Sequence, residues 1–159
     1  MRCEKKQYQG AATMTLNDPK IQAFIQLYTD LGPGSVSHQR MSEVYCQDII
    51  FSDPVHCISG LESLTRYFSG LYENITQIRF EFHNALGNDS EASLHWTMTY
   101  RHPKLYGGKQ DIAVEGVSLL AWEGDHIVSH QDIFDAGSLL YEHLPVIGWV
   151  IRKLKERMA

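Results

Sequence analysis

Residues 91–135 read EASLHWTMTYRHPKLYGGKQDIAVEGVSLLAWEGDHIVSHQDIFD, and their periodicity decides the fold. Ala92, Leu94, Trp96, Met98 and Tyr100 alternate with Ser93, His95, Thr97, Thr99 and Arg101, the period of a strand with one apolar face. Pro103 to Gly108 supplies a hairpin loop. Ile112 to Trp122 then forms a second long strand, apolar at nearly every position after Gly116, which predicts cover on both of its faces. Glu123-Gly124-Asp125 turns the chain into a last strand, His126 to Asp135.

Upstream the period changes. Asn17-Asp18-Pro19 is a helix start, with Ile21, Phe24, Ile25, Leu27, Tyr28 and Leu31 at helical spacing before Gly32-Pro33-Gly34. Ser37 to Tyr45 reads as a shorter second helix. Ile49 to Phe51 reads as a brief strand ended by Asp53-Pro54. Gly60 precedes a third helix carrying Leu61, Leu64, Tyr67, Phe68 and Leu71, and Ile78, Phe80 and Phe82 alternate as a strand. Helices first and a curling antiparallel sheet after them give an α+β class. A sheet bent around helices makes a cone-shaped α+β barrel with an internal hollow. Residues 1–16 are expected to be a flexible lead-in, and 17–159 a single domain that includes a C-terminal helix.

The 159 residues suffice for one domain with a buried core. The 43% hydrophobic and 21% charged composition is that of a soluble globular chain. A formal net charge of -5 argues against a nucleic-acid partner, since phosphate binding draws on Lys and Arg. The longest apolar stretch, around Pro145 to Ile151, is too short for a transmembrane segment, and MRCEKKQYQGAATMTLN lacks the apolar core of a secretory signal. Cys3, Cys46 and Cys57 form no CxxC, so a reducing, cytoplasmic location is expected. Cys57 reads as a small buried hydrophobe. The tail from Pro145 to Arg157 is amphipathic and basic near its end, and reads as a helix that caps the hollow or meets a partner.

Strand parity nominates site residues. Leu94, Trp96, Met98, Tyr100 and His102 share a face that should line the hollow. In the last strand Val128, His130, Asp132 and Phe134 share one face, and Ile127, Ser129, Gln131 and Ile133 the other. If the first set faces inward, a histidine and a carboxylate stand about 7 Å apart in an apolar hollow; if the second does, they are a solvated pair. Parity alone leaves both readings open. Asp53 is equally two-sided: Asp before Pro ends strands as a turn residue, yet a carboxylate there also suits a pocket mouth. His56, His102 and His130 raise the idea of a metal site, but no tight HxH or HxxxH spacing supports one, and no metal or cofactor is expected.

These residues carry a resemblance to the nuclear-transport-factor-2-like superfamily, which includes ketosteroid isomerase, SnoaL-like polyketide cyclases and limonene-epoxide hydrolase. FSDPVH followed by SGLESLTRYFSGL resembles the isomerase segment that bears its catalytic aspartate, here Asp53. EASLHWTMTY resembles the pocket strand, which implies that Trp96, Met98 and Tyr100 line a pocket. IVSHQDIFD resembles the last strand of the cyclases and the hydrolase, whose first aspartate is an acid or base, here Asp132; this implies that His130 and Asp132 face inward. The departures are equally informative. Phe24 and Ser118 stand where the isomerase has its oxyanion-holding tyrosine and acid, which argues against steroid isomerisation. Trp96 and Met98 stand where the hydrolase has an arginine and a second aspartate.

The resemblance therefore implies a small apolar organic ligand, with Asp132, His130 and Asp53 as catalytic candidates and Trp96, Met98, Tyr100, Ser118, Phe134, His56 and Tyr67 as ligand-binding ones. It also implies a homodimer through the outer sheet face, around Glu115, Val117 and Leu119. Two functions stay open: cofactor-independent proton transfer in an isomerisation, cyclisation or hydration, and non-catalytic ligand binding or an accessory homodimer with a vestigial pocket.

Overall fold

A computed structural model of the chain describes residues 14–139. The Asp18 side chain accepts a hydrogen bond from the Lys20 N–H at 2.9 Å and opens helix α1 (Pro19–Asp30), with Pro19 in its first turn. Ile21, Phe24, Leu27 and Tyr28 form its buried face. Helix α2 (His38–Ser42) is capped by Ser37 and stops three residues short of the expected end at Tyr45. Tyr45 instead opens strand β1 (Tyr45–Ser52), which is longer than the predicted Ile49–Phe51. The reason is tertiary. The Val44 carbonyl accepts the Ile127 N–H at 2.8 Å, which draws the chain into the sheet, and the Tyr45 ring is 1% exposed.

Strand β2 (Cys57–Ser59) folds back on β1, and this short edge strand leaves Cys57 exposed, where the sequence reading buried it. Gly60, at φ 87°, takes a conformation that favours glycine and lets the chain enter helix α3 (Leu61–Glu73), while its N–H bonds the Ile49 carbonyl. The buried face of α3 is Leu61, Leu64, Phe68 and Tyr72; Leu71, one of the apolar residues of the helical pattern, is 43% exposed.

Strands β3 (Gln77–Gly87), β4 (Glu91–Arg101), β5 (Ile112–Glu123) and β6 (His126–Phe134) complete one six-stranded sheet of order β2-β1-β6-β5-β4-β3. Neighbours are antiparallel except β1 and β6, which run parallel, so the sheet is not the wholly antiparallel one expected. It is curved and unclosed, with α1 packed on β3 and α3 on β1. Aromatic rings make the joint: Phe24 meets Phe82 edge-on at 6.1 Å between centroids, and Tyr28 meets Phe80 at 5.3 Å. Met14 pairs with Gly87 and is buried; residues 1–13 and the tail helix expected beyond Leu139 lie outside the described residues.

Two local features position everything on the concave side. First, the β5–β6 register shifts, so that Trp122 pairs with Ile127 and Ala121 with Ser129. Val128 is left as the extra residue of a bulge, and Ile127 and His130 both turn inward. Val128 therefore does not share the His130 face as strict alternation predicted. Second, β5 alternates in burial where both faces were expected to be covered: Ile112, Val114, Ser118 and Leu120 are buried, while Glu115 and Leu119 are exposed.

Gly116 pairs with Trp96 across β4 and β5, and the indole lies directly over it: a Cβ there would come within 2.4 Å of the ring. Gly116→Ala should therefore push Trp96 off the sheet and cost about 1–3 kcal/mol, measurable by urea unfolding followed by tryptophan fluorescence.

Candidate functional site

Helices α1 and α3 and the concave face of the sheet line a cavity of about 300 Å³. Its walls are aromatic and apolar, with Phe24 from α1, Phe51 from β1, Phe68 from α3 and Phe80 and Phe82 from β3. Trp96, Met98, Tyr100 and Phe134 join them from β4 and β6. No lysine or arginine lines it among the described residues.

A chain of hydrogen bonds runs behind and into its floor. The Trp96 indole N–H donates to Ser118 Oγ at 2.9 Å. Indole nitrogen is a donor only, so the single Ser118 hydrogen is left for Asp132 Oδ1, 2.6 Å away. His130 Nε2 lies 2.8 Å from the same oxygen, and His130 Nδ1 lies 2.9 Å from Tyr45 Oη. Tyr45 Oη in turn meets Tyr28 Oη at 3.1 Å. One arrangement of a neutral imidazole serves every partner: Nε2–H donates to Asp132, Nδ1 accepts from Tyr45, and Tyr45 accepts from Tyr28. Burial pushes the phenols of Tyr28 and Tyr45 well above their ordinary range, which keeps them protonated as donors. Asp132 Oδ2 has no hydrogen-bond partner among the described residues, and Asp132 lines the cavity.

His130 itself does not reach the cavity. It is 0% exposed, stacked on Tyr45 (5.9 Å between centroids, 8° between planes) and met edge-on by Phe51 and Phe24 at 5.0 and 5.4 Å. It touches ligand space only through Asp132.

At the mouth, Asp53 is both a turn residue and a cavity-lining one. Oδ1 accepts the backbone N–H groups of Val55 and His56 at 2.8 and 2.7 Å, and Oδ2 accepts the Tyr67 hydroxyl at 2.7 Å. His56 Nδ1 stands 3.2 Å from each oxygen. Burial pushes this carboxyl up, but the Tyr67, Val55 and His56 donors outweigh burial and hold it below its usual value. His56 and His102 line the cavity and His130 does not, and no three His, Cys, Asp or Glu side chains among the described residues converge as metal ligands.

Of the residues singled out from sequence, Asp53, His56, Tyr67, Trp96, Met98, Tyr100, Ser118, Asp132 and Phe134 all border this cavity; His130 stands behind it. Sequence reasoning missed Tyr45, assigned to a helix, and Tyr28, counted as core. The signal for Tyr45 was available in Tyr45–Phe51, a run rich in β-formers once α2 is ended earlier. On the outer face Glu115 is exposed and bonded to His95 at 2.6 Å, Val117 is half-buried and Leu119 is 39% exposed.

A curled sheet around helices, with an aspartate on the floor of an aromatic hollow, defines a class of small cone-shaped pocket proteins. A family model for the SnoaL-like domain matches residues 21–130, and the chain belongs to that family. A candidate SnoaL-like polyketide cyclase from Jannaschia sp. CCS1 is similar at TM-score 0.65 and 12% identity, over 76% of this chain and 88% of that one. A hypothetical protein of ketosteroid-isomerase-like fold from Catenulispora acidiphila, in complex with trimethylamine, is similar at TM-score 0.65 and 16% identity, over 77% and 89%. An epoxide hydrolase of the limonene-epoxide-hydrolase type from M. tuberculosis is similar at TM-score 0.61 and 10% identity, over 84% and 93%. At such identities the likeness is one of fold. No curated protein matches the chain. No helix among the described residues is long and apolar enough to cross a membrane.

Tyr45→Phe removes the donor to a fully buried ring nitrogen and should cost about 1–3 kcal/mol, with ¹⁵N NMR showing the His130 Nδ1 resonance shift as it loses its hydrogen bond while Asp132 keeps the proton on Nε2. Asp53 has a second, pH-dependent signature. Its folded-state value is depressed, so its contribution is present above the unfolded carboxyl pKa, about 4, and is lost as pH falls through the lower folded value. Tyr67→Phe should therefore narrow the stability difference between pH 7 and pH 3 in parallel denaturant titrations.

Proposed function

We propose that this SnoaL-like protein binds a small, largely apolar organic molecule in its cavity and catalyses proton transfer on it, in an isomerisation, cyclisation or hydration, without a cofactor. The observation that carries the reading is Asp132: Oδ1 is held by Ser118 and His130, while Oδ2 is left to a ligand. A carboxyl group positioned in this way inside an aromatic, largely apolar cavity suits general acid–base work. His130 is a positioning residue, since it fixes Asp132 without lining the cavity. Asp53, held below its usual value by hydrogen bonds from Tyr67, the Val55 N–H and the backbone and ring of His56, is a weak base; its role is to shape the polar mouth with His56 and Tyr67. The names of the similar structures, a cyclase and an epoxide hydrolase, fit acid–base chemistry in such a cavity.

The second reading, a ligand-binding or accessory homodimer without turnover, is favoured by Phe24 at the oxyanion position and by Ser118, whose hydrogen is committed to Asp132. A homodimer through the outer sheet face fits both readings: Leu86, Leu119 and Ile133 are 66%, 39% and 50% exposed on β3, β5 and β6. The free thiols Cys46 and Cys57 fit a reducing, cytoplasmic compartment.

Native mass spectrometry of the protein as purified from cells should show a dimer with a retained organic ligand; a ligand-free monomer would count against both the cavity and the interface. With that ligand or its precursor as substrate, Asp132→Asn should lower kcat by about 10²–10⁴ and leave Kd within a few-fold. Unchanged turnover would sink the catalytic reading in favour of binding alone.

A further inference from the structure

Glycine weakens a helix, since it gives up more chain entropy than alanine and packs no side chain. Elsewhere in this chain glycine answers a local demand. Gly60 takes a φ of 87°, and at Gly116 a Cβ would come within 2.4 Å of the Trp96 ring. Gly70, towards the C-terminal end of α3, answers neither. Its φ is not positive, and a Cβ there would meet nothing within 4 Å beyond its chain neighbours and the backbone of its own helix. The helix does not need it as a stop, because it runs on to Glu73 and Asn74 is its C-cap. What marks Gly70 is its place: it is exposed, yet it lines the cavity, so it lies on the rim. Leu71 beside it is 43% exposed, and Val55, in the turn between β1 and β2, is 48% exposed; both line the same cavity. Tyr67, on the preceding turn of α3, is tied to Asp53 at 2.7 Å. A position left bare at a cost in helix stability, on a rim of exposed apolar side chains, is a surface shaped for an apolar body.

We propose that Gly70 is a specificity-determining residue: it keeps a notch in the rim, across which the outer end of an elongated apolar ligand lies while the inner end fills the hollow. This rests on the reading of the cavity as a ligand site and adds what that reading leaves open, the length of the ligand. A side chain at position 70 would close the notch and confine the cavity to shorter molecules. The exposed faces of Leu71 and Val55 are then the surfaces that the outer end of the ligand covers.

The test uses two fluorescent probes, uncharged at neutral pH, that differ only by a phenyl ring: 1-naphthylamine and N-phenyl-1-naphthylamine. Wild type should bind both in fluorescence titrations, the longer one more tightly. Gly70→Leu should weaken N-phenyl-1-naphthylamine at least about tenfold and leave 1-naphthylamine within about twofold, because the added side chain excludes only the end that crosses the rim. Gly70→Ala should raise the melting temperature by about 1–4 °C, the gain expected where a helix glycine has no structural task. It should also weaken the longer probe, by less than Gly70→Leu does. A lowered melting temperature in Gly70→Ala would overturn the notch. So would unchanged or tighter binding of the longer probe by Gly70→Leu, equal loss of both probes, or a wild type that binds only the shorter one. In each of these cases binding of 1-naphthylamine to wild type leaves the cavity reading standing. If neither probe binds wild type, the cavity reading falls, and this inference with it.

Discussion

A histidine with no solvent exposure has to satisfy two ring nitrogens from within the protein, and His130 does so by joining elements far apart in the chain. Nδ1 reaches Tyr45 on β1 and, through it, Tyr28 on α1; Nε2 reaches Asp132 on its own strand, which Ser118 on β5 also holds while accepting from Trp96 on β4. Breaking any member leaves a buried polar group unpaired, a cost of about 1–3 kcal/mol. The network therefore does more than decorate the core. It sets how β1 lies beside β6, how α1 lies on the sheet, and which oxygen of Asp132 is free.

The hollow persists because flat, stiff rings face it across a curved sheet. Phe80 and Phe82 stack at 6.0 Å, and Phe80 meets Trp96 edge-on at 5.8 Å, so the wall is braced within the sheet. Irregularities in register at Phe82/Asn84 and at Ala121/Trp122 let the strands bend around the helices. Gly116 supplies the remaining space by letting the Trp96 indole lie flat against β5. Cavity, curvature and core are thus one packing solution.

Polarity in this hollow is sparse and directional. The mouth carries Asp53, His56 and Tyr67 in a closed set of mutual hydrogen bonds; the interior offers Asp132 Oδ2 as an acceptor. An acceptor in an otherwise apolar enclosure selects for a ligand with one small polar locus. Membership of the SnoaL-like family fixes the scaffold, whereas the chemistry follows from which side chains this chain places on it.

Local sequence signals were sufficient where a residue's neighbours in space are also its neighbours in the pattern. The Asp18-Pro19 start of α1, the run Leu61–Phe68 of α3 and the alternation along β4 each follow from capping, helical spacing or period two, and the structure places them as read. Those patterns, with the resemblance they carry, led to the α+β cone and to the residues around its cavity. Tyr45 entering β1, the parallel pairing of β1 with β6, the bulge at Val128 and the exposure of Cys57 depend on strands that meet only after folding. The site divides the same way. Asp132 was legible as a carboxylate on an apolar strand, but its free oxygen and the burial of His130 behind it are decided by side chains on α1, β1, β4 and β5. Periodicity specifies which way a residue faces along its own strand or helix; which partner satisfies it is set by long-range packing.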